Sequence, residues 1–203
     1  MRIGINGFGR IGRTVFRILN RQDDIEVVAI NDLANDDVLT YLLKYDTVMG
    51  PLKDSVNVNS GVLTTSNHSI KMLNEHDPSA LPWNELGVDI VIESTGVFRT
   101  REQLQSHIDS GAEYVLLTVP AKDEIDFTVV IGVNEDKLTS DHKIISNASC
   151  TTNCLAPMAK VLNDAFEIKY GVINTVHAYT NDQRLADVPH SDWRRSRAAA
   201  ENI

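Results

Sequence analysis

Six residues near the start, Gly7-Phe8-Gly9-Arg10-Ile11-Gly12, constrain the fold more than any other stretch. A short strand-like run, Arg2–Asn6, precedes them. A helical pattern follows, with Ile11, Val15, Ile18 and Leu19 spaced to share one face. A second strand-like run from Ile25 to Asn31 ends in Asp32, 25 residues after Gly7. A G-x-G-x-x-G alone is weak. With a strand before it, a helix after it and an acid closing the next strand, it marks a dinucleotide-binding unit. Gly7 permits the tight turn, Gly9 lets the backbone approach a pyrophosphate, and Gly12 lets helix and strand pack closely. The pyrophosphate then meets the helix N-terminus. Asp32 is placed to accept hydrogen bonds from the adenosine ribose and to repel a 2′-phosphate, which favours NAD over NADP.

The alternation continues. Asp36 to Lys44 reads as a helix carrying Val38, Leu39, Leu42 and Leu43. Residues 51–73 hold short alternating runs broken by Asn, Ser and Gly, a small antiparallel excursion. His68 and His76 lie in and just beyond it and are expected at the surface. The run from Gly87 to Glu93 is nearly all apolar, as in a parallel strand covered on both faces. Ser94-Thr95-Gly96 closes it, and Thr118 closes the next strand, Glu113 to Thr118. Polar and glycine residues at such strand ends are where open α/β sheets bind ligands, so Thr95, Gly96 and Thr118 are candidate contacts. A helix is expected over Arg101 to Asp109, with Gly111 as its stop. Further strands are expected over Phe127 to Val133 and His142 to Ser146. The pattern predicts an α/β, Rossmann-type, doubly wound and mostly parallel sheet over residues 1–149. Residues 150–203 are expected to begin an α+β catalytic domain that is incomplete here.

That second part opens on Cys150, where a strand-like run (Ile144-Ile145-Ser146) turns into a helix carrying Leu155, Met158, Val161 and Leu162. A helix N-terminus stabilises a thiolate, the reactive form of cysteine. Ser149, Thr151 and Thr152 add hydroxyls that can cap the helix or hold an anion. A longer strand is expected from Lys169 to Tyr179, with His177 near its end as a base or counter-cation for Cys150. A Cys–His pair beside a nicotinamide points to oxidation of an aldehyde through a thioester. Arg194-Arg195-Ser196-Arg197, with the Thr180 hydroxyl, is a candidate anion site.

The remaining function classes narrow by exclusion. A formal net charge of −9 argues against binding nucleic acid by phosphate neutralisation. No apolar run approaches the roughly 20 residues of a membrane span. Cys150 and Cys154 lie four apart, which is neither a zinc spacing nor a disulfide framework, so no metal is expected. The first residues carry no secretory apolar region, which makes the cytoplasm the expected compartment.

Three segments together carry a resemblance: Gly7-Phe8-Gly9-Arg10-Ile11-Gly12-Arg13, Ala148-Ser149-Cys150-Thr151-Thr152-Asn153 and Thr175-Val176-His177-Ala178-Tyr179-Thr180. The chain resembles the phosphorylating glyceraldehyde-3-phosphate dehydrogenase family along its whole length. The resemblance implies NAD-dependent oxidation of glyceraldehyde 3-phosphate with inorganic phosphate, in glycolysis, by a homotetramer. It makes Cys150 the nucleophile and His177 its activator. Ser149, Thr151, Thr180 and Arg195 match substrate- or phosphate-contacting positions; Arg10, Ile11, Asp32 and Thr118 match cofactor-contacting ones. His76 stands where the family often has Arg, and Val119 where it more often has a small residue. Family members run on past Ile203, so this polypeptide alone is expected to turn over poorly. Erythrose-4-phosphate dehydrogenase, which shares the cysteine motif, is the alternative enzyme; a non-catalytic dinucleotide-binding fragment is the alternative of another class.

Overall fold

A computed structural model describes residues 1–202. Two compact units are present, one over Met1–Ala165 and one from Phe166 onward. The first is built on a single sheet of nine strands: β1 (Arg2–Asn6), β2 (Glu26–Asn31), β3 (Asn57–Asn59), β4 (Val62–Thr64), β5 (Ser69–Leu73), β6 (Ile90–Glu93), β7 (Tyr114–Leu117), β8 (Phe127–Thr128) and β9 (Ile144–Ser146). Their order is β3-β4-β5-β2-β1-β6-β7-β9-β8. β5, β2, β1, β6, β7, β9 and β8 pair in parallel. The excursion β3-β4-β5 is antiparallel, as its broken alternation predicts. Strand order reverses at β1, where β2 lies to one side and β6 to the other, so the strand C-termini open a crevice there.

The helices α1 (Arg10–Leu19), α2 (Asp36–Lys44) and α3 (Arg101–Asp109) fall where the sequence places them. Asn35 caps α2 through Asp37 N–H, and Thr100 and Gln103 form a reciprocal capping box on α3. The apolar positions of β1, β2 and β5 pack with Phe8, Phe16, Leu39 and Leu43 into one core cluster; Trp83 anchors a second with Val91 and Ala112.

Four expectations need correction. The inward face of α1 is Gly12, Arg13, Phe16 and Arg17, whereas Ile11 and Ile18 are exposed. Phe16 sets that face by packing edge-on against Phe8, centroids 5.7 Å apart. The two arginines go inside because backbone carbonyls take their guanidinium hydrogens: Arg13 donates to Phe8 O, Arg17 to Leu43 O and Gly50 O. Periodicity that counts only apolar residues misses such a face. His68 is buried, with neither ring nitrogen hydrogen-bonded among the described residues. It is carried inward because Thr65 and Asn67 tie its turn to Asn20 at the end of α1. The run from Phe127 keeps only two strand residues, since Gly132 turns the chain at φ +83°.

The fourth correction lies in the second unit. Residues 167–180 form no strand. A strand needs a neighbour for its N–H and C=O groups, and among the described residues none pairs with this run. Its apolar side chains stand in the open, Val172 97 % and Val176 96 % exposed. Further on, Trp193–Ser196 forms a 3₁₀ turn and Ala199–Asn202 a short helix. The segment between closes on itself through Arg184 N–H to Arg195 O and Val188 N–H to Ser196 O.

Candidate active site

The crevice at the strand ends is a cavity of about 370 Å³ lined by Asn6, Gly7, Gly9, Asn31, Asp32, Leu33, Glu75, His76, Ser94, Thr95, Val97 and Phe98. Gly7 turns the chain at φ +90°, and a Cβ there would lie 2.5 Å from Thr95 N. A Cβ on Gly12 would lie 2.1 Å from Gly7 O, so helix and loop touch backbone to backbone. Gly9 differs from both. A Cβ on it would meet nothing within 4 Å, because it faces the open cavity. Gly9 is also the N-cap of α1 and offers no side-chain acceptor, which leaves the first-turn N–H groups to a ligand. The open side of Gly9 and these N–H donors suit a pyrophosphate in space and in charge.

Asp32 closes the far side. Its Oδ2 accepts from Phe8 N–H at 2.7 Å and its Oδ1 from Ala34 N–H at 2.9 Å. Backbone donors thereby hold the carboxylate in one orientation and leave lone pairs for ribose hydroxyls. His76 lines the cavity at its exposed edge. Thr95 Oγ1 accepts from Val97 N–H, and Gly96 turns at φ +73° with open space around it. Thr118 sits at the end of β7, bonded to Glu93 O through its N–H and its hydroxyl. Arg10 and Ile11 occupy the first turn of α1, but their side chains do not line the cavity. The Arg10 guanidinium forms a fork with Asp46, at 3.1 and 3.3 Å, so what these positions offer is backbone N–H. The Asp46 carboxyl is pulled down to about 2, chiefly by Met49 N–H, against burial, with Arg10 and Val48 N–H adding to the lowering.

Cys150 belongs to the same strand edge. β9 runs parallel to β7, and three residues separate its last one, Ser146, from a 17-residue helix, α4 (Cys150–Phe166). Ala148 adopts φ +57°, which swings the chain into the helix. Ser149 caps it: its Oγ accepts from Thr152 N–H at 2.9 Å, and Asn153 Nδ2 donates to Ser149 O and Asn147 O. Cys150 is thus the first helical residue, and it is exposed, as are Thr151 and Cys154. The positions Leu155, Met158, Val161 and Leu162 do share a helix, with Met158, Val161 and Leu162 exposed.

The first unit therefore gathers Gly7, Gly9, Gly12, Asp32, Thr95, Gly96, Thr118, Ser149, Cys150 and Thr151 at the C-terminal ends of parallel strands. His177, Thr180 and Arg195 lie in the second unit. There His177 Nδ1 hydrogen-bonds Ala178 O, and Thr180 donates from its N–H and hydroxyl to Gln183 Oε1. Each arginine of the 194–197 cluster meets an aspartate: Arg194 with Asp192, Arg195 with Asp182 and Asp192, Arg197 with Asp187. The Asp182 carboxyl lies below its usual range because His190 and Arg195 outweigh the opposing effect of burial. Among the described residues no group of acidic, histidine and cysteine side chains is arranged to hold a metal ion, and no helix is long and apolar enough to cross a membrane.

Comparison with known proteins adds the family. Residues 1–101 match the model described as "Glyceraldehyde 3-phosphate dehydrogenase, NAD binding domain", and residues 149–203 match its "C-terminal domain". The chain belongs to the glyceraldehyde-3-phosphate dehydrogenase family. It is 57% identical to the glyceraldehyde-3-phosphate dehydrogenase of Streptomyces coelicolor over 205 residues, covering all of this chain and 61% of the relative. The corresponding enzyme of Thermotoga maritima is 56% identical, and glyceraldehyde-3-phosphate dehydrogenase 1 of Bacillus subtilis 53%, with the same coverage. The chain thus spans 61% of the length of these curated relatives. NAD is the cofactor of the matched domain, in agreement with the open face of Gly9, the uncapped N–H groups of α1 and the fixed carboxylate of Asp32.

One group of residues at the crevice escapes the sequence reading. Asn6, Asn31, Glu93 and His107 are buried polar side chains beneath the cavity. Their signal was available: Asn6, Asn31 and Glu93 each end a parallel strand, and Glu93 terminates an otherwise apolar run.

Proposed function

We infer that the protein catalyses phosphorylating oxidation of glyceraldehyde 3-phosphate to 1,3-bisphosphoglycerate, with Cys150 as the nucleophile. The observation that carries this reading is the position of Cys150: exposed, first in a capped 17-residue helix, on the strand edge that carries the cavity. The positive end of the helix dipole favours its thiolate. Gly7, Gly9, Gly12, the N–H groups at Arg10 and Ile11, Asp32, Thr95, Gly96 and Thr118 hold NAD, which when bound supplies the hydride acceptor. The Cys150 thiolate attacks the aldehyde carbon, and the carbonyl oxygen takes a proton from the His177 imidazolium to give a tetrahedral hemithioacetal. His177 takes the hydroxyl proton as the carbon loses hydride, leaving a thioester on Cys150. Attack by phosphate on the thioester carbon forms the acyl phosphate and returns the thiolate. Ser149, Thr151, Thr180 and Arg195 contact the substrate and the attacking phosphate. In this reading residues 1–149 form the NAD-binding domain and residues 150–203 the start of the catalytic domain. We assign the protein to glycolysis in the cytoplasm, as a homotetramer; the exposed Val38, Tyr41 and Tyr45 on and beside α2 supply apolar surface for assembly.

The test is acylation. The protein is mixed with glyceraldehyde 3-phosphate and NAD without phosphate, and its cysteines are mapped by mass spectrometry. Acyl adduct on Cys150 alone, dependent on NAD and absent from Cys150→Ser, is expected. Equal slow iodoacetamide labelling of Cys150 and Cys154, with no NAD-dependent adduct, would refute the reading. Running erythrose 4-phosphate in parallel separates the two aldehyde specificities.

A further inference from the structure

Four strand ends beneath the cavity are joined by one continuous line of hydrogen bonds. It starts away from the cavity, at Trp83, whose Nε1–H donates to His107 Nδ1 at 3.0 Å. An indole nitrogen can only donate, so His107 Nδ1 accepts and its proton sits on Nε2. That proton goes to Glu93 Oε2, 3.1 Å away. Asn6 Nδ2 donates to the same oxygen at 2.6 Å. The other Glu93 oxygen accepts from Thr95 N–H at 2.8 Å and from the Thr95 hydroxyl. Glu93 is therefore an acceptor on every side, and Trp83, His107 and Glu93 are fully buried.

The direction propagates. Because Asn6 turns its NH₂ toward Glu93, its Oδ1 faces the other way and accepts from Asn31 Nδ2 at 2.8 Å. Asn31 Nδ2 also donates to Glu75 O at 2.9 Å, and Asn31 Oδ1 accepts from Glu75 N–H at 2.8 Å. The path runs from Glu75 beyond β5, through Asn31 on β2 and Asn6 on β1, to Glu93 on β6. These are four neighbouring strands in sheet order. With about 4.8 Å between strands, it crosses roughly 14 Å. At one end it pins the wall carrying Glu75 and His76; at the other it pins the wall carrying Thr95 and Val97.

We propose that this line is a tie-bar that sets the width of the nucleotide cavity, with Trp83 and His107 as positioning residues that act through Glu93. Neither Trp83 nor His107 lines the cavity. Reversing Asn6 would set its Oδ1 against the Glu93 carboxylate, acceptor against acceptor, and reversing Asn31 would set its Nδ2 against Glu75 N–H, donor against donor, so the line has a single low-energy polarity. The proposal rests on reading the cavity as the NAD site.

The test compares two substitutions at one position. His107→Gln keeps an acceptor for Trp83 and a donor for Glu93; His107→Leu keeps bulk and removes both. Two readouts are taken: NAD affinity by titration, and the side-chain amide NMR signals of Asn6 and Asn31 in nucleotide-free protein. In His107→Leu, NAD affinity is expected to fall about tenfold and both amide signals to move; His107→Gln should stay within about threefold of wild type. Trp83→Phe, which removes only the first donor, should move the same two signals and weaken NAD by about threefold, and it decides the matter if His107→Leu does not fold. Amide signals unmoved in His107→Leu or Trp83→Phe, or Gln and Leu equally impaired, would overturn the tie-bar. Wild-type protein that fails to bind NAD would overturn the functional reading instead, while the amide signals still decide the tie-bar.

Discussion

The two units handle their polar groups in opposite ways. In residues 1–165 the backbone is satisfied over long sequence distances: β1 pairs with β6 some 87 residues away, and Asn6 bonds Glu93 across the same gap. In the second unit most side-chain bonds close within a few residues, such as Thr180 to Gln183 and Arg194 to Asp192, and the arginines pair with the exposed Asp182 and Asp187 and the half-buried Asp192. The first arrangement fixes a cavity to within a hydrogen bond. The second holds local turns and leaves Val172 and Val176 in solvent. A site built on strand ends inherits the precision of the sheet; a site on locally bonded turns depends on what those turns meet.

The largest expected effects separate the units by stability. Gly12→Ala places a Cβ 2.1 Å from Gly7 O, so the backbone must move; a loss of about 3 kcal/mol is expected, lowering Tm by roughly 6–12 °C. Leu117→Ala, at a fully buried position, should cost about 3 kcal/mol as well. Calorimetry that found either substitution silent would remove the contrast. Gly9→Ala sharpens it within the first unit. Its Cβ meets nothing in the chain, so Tm should hardly change, while NAD affinity should fall at least about tenfold because the ligand needs that space. A stable Gly9→Ala with unchanged NAD affinity would place the pyrophosphate elsewhere.

Smaller still is the acid limb. Asp46 titrates near 3.8 when unfolded and at about 2 when folded. A depressed carboxyl contributes stability that is fully present above the unfolded value and is lost as pH falls through the folded one. Part of the stability loss between about pH 4 and pH 2 should therefore vanish in Asp46→Asn, as measured by urea midpoints across that range. Smallest of all is Val172→Ala, expected to stay within about 0.5 kcal/mol of wild type. A loss above about 2 kcal/mol would show that Val172 is covered in solution.

Much of this was legible in the sequence where local chemistry and sheet topology agree. The glycines at 7, 9 and 12, the capping residue Ser149 and the acid at position 32 act through spacing that the chain itself carries. What was hidden depended on distant partners. The buried face of α1 is set by Phe8 and by carbonyls that accept from Arg13 and Arg17. His68 is buried because its turn is tied to Asn20. The run 169–179 alternates like a strand yet pairs with none among the described residues, since pairing belongs to two segments and not to one. The glycines and the acid of the cofactor half were readable for the same reason: they follow from one βαβ unit, whereas the line of bonds from Trp83 to the cavity floor passes through four elements.

The most direct measurement is side-by-side calorimetric titration of the protein with NAD and NADP. Saturable binding of NAD, with NADP weaker by about tenfold or more because the Asp32 carboxylate opposes the 2′-phosphate, is the expected result. Equal affinity for the two, or binding of neither, would contradict the assignment of the strand-end cavity.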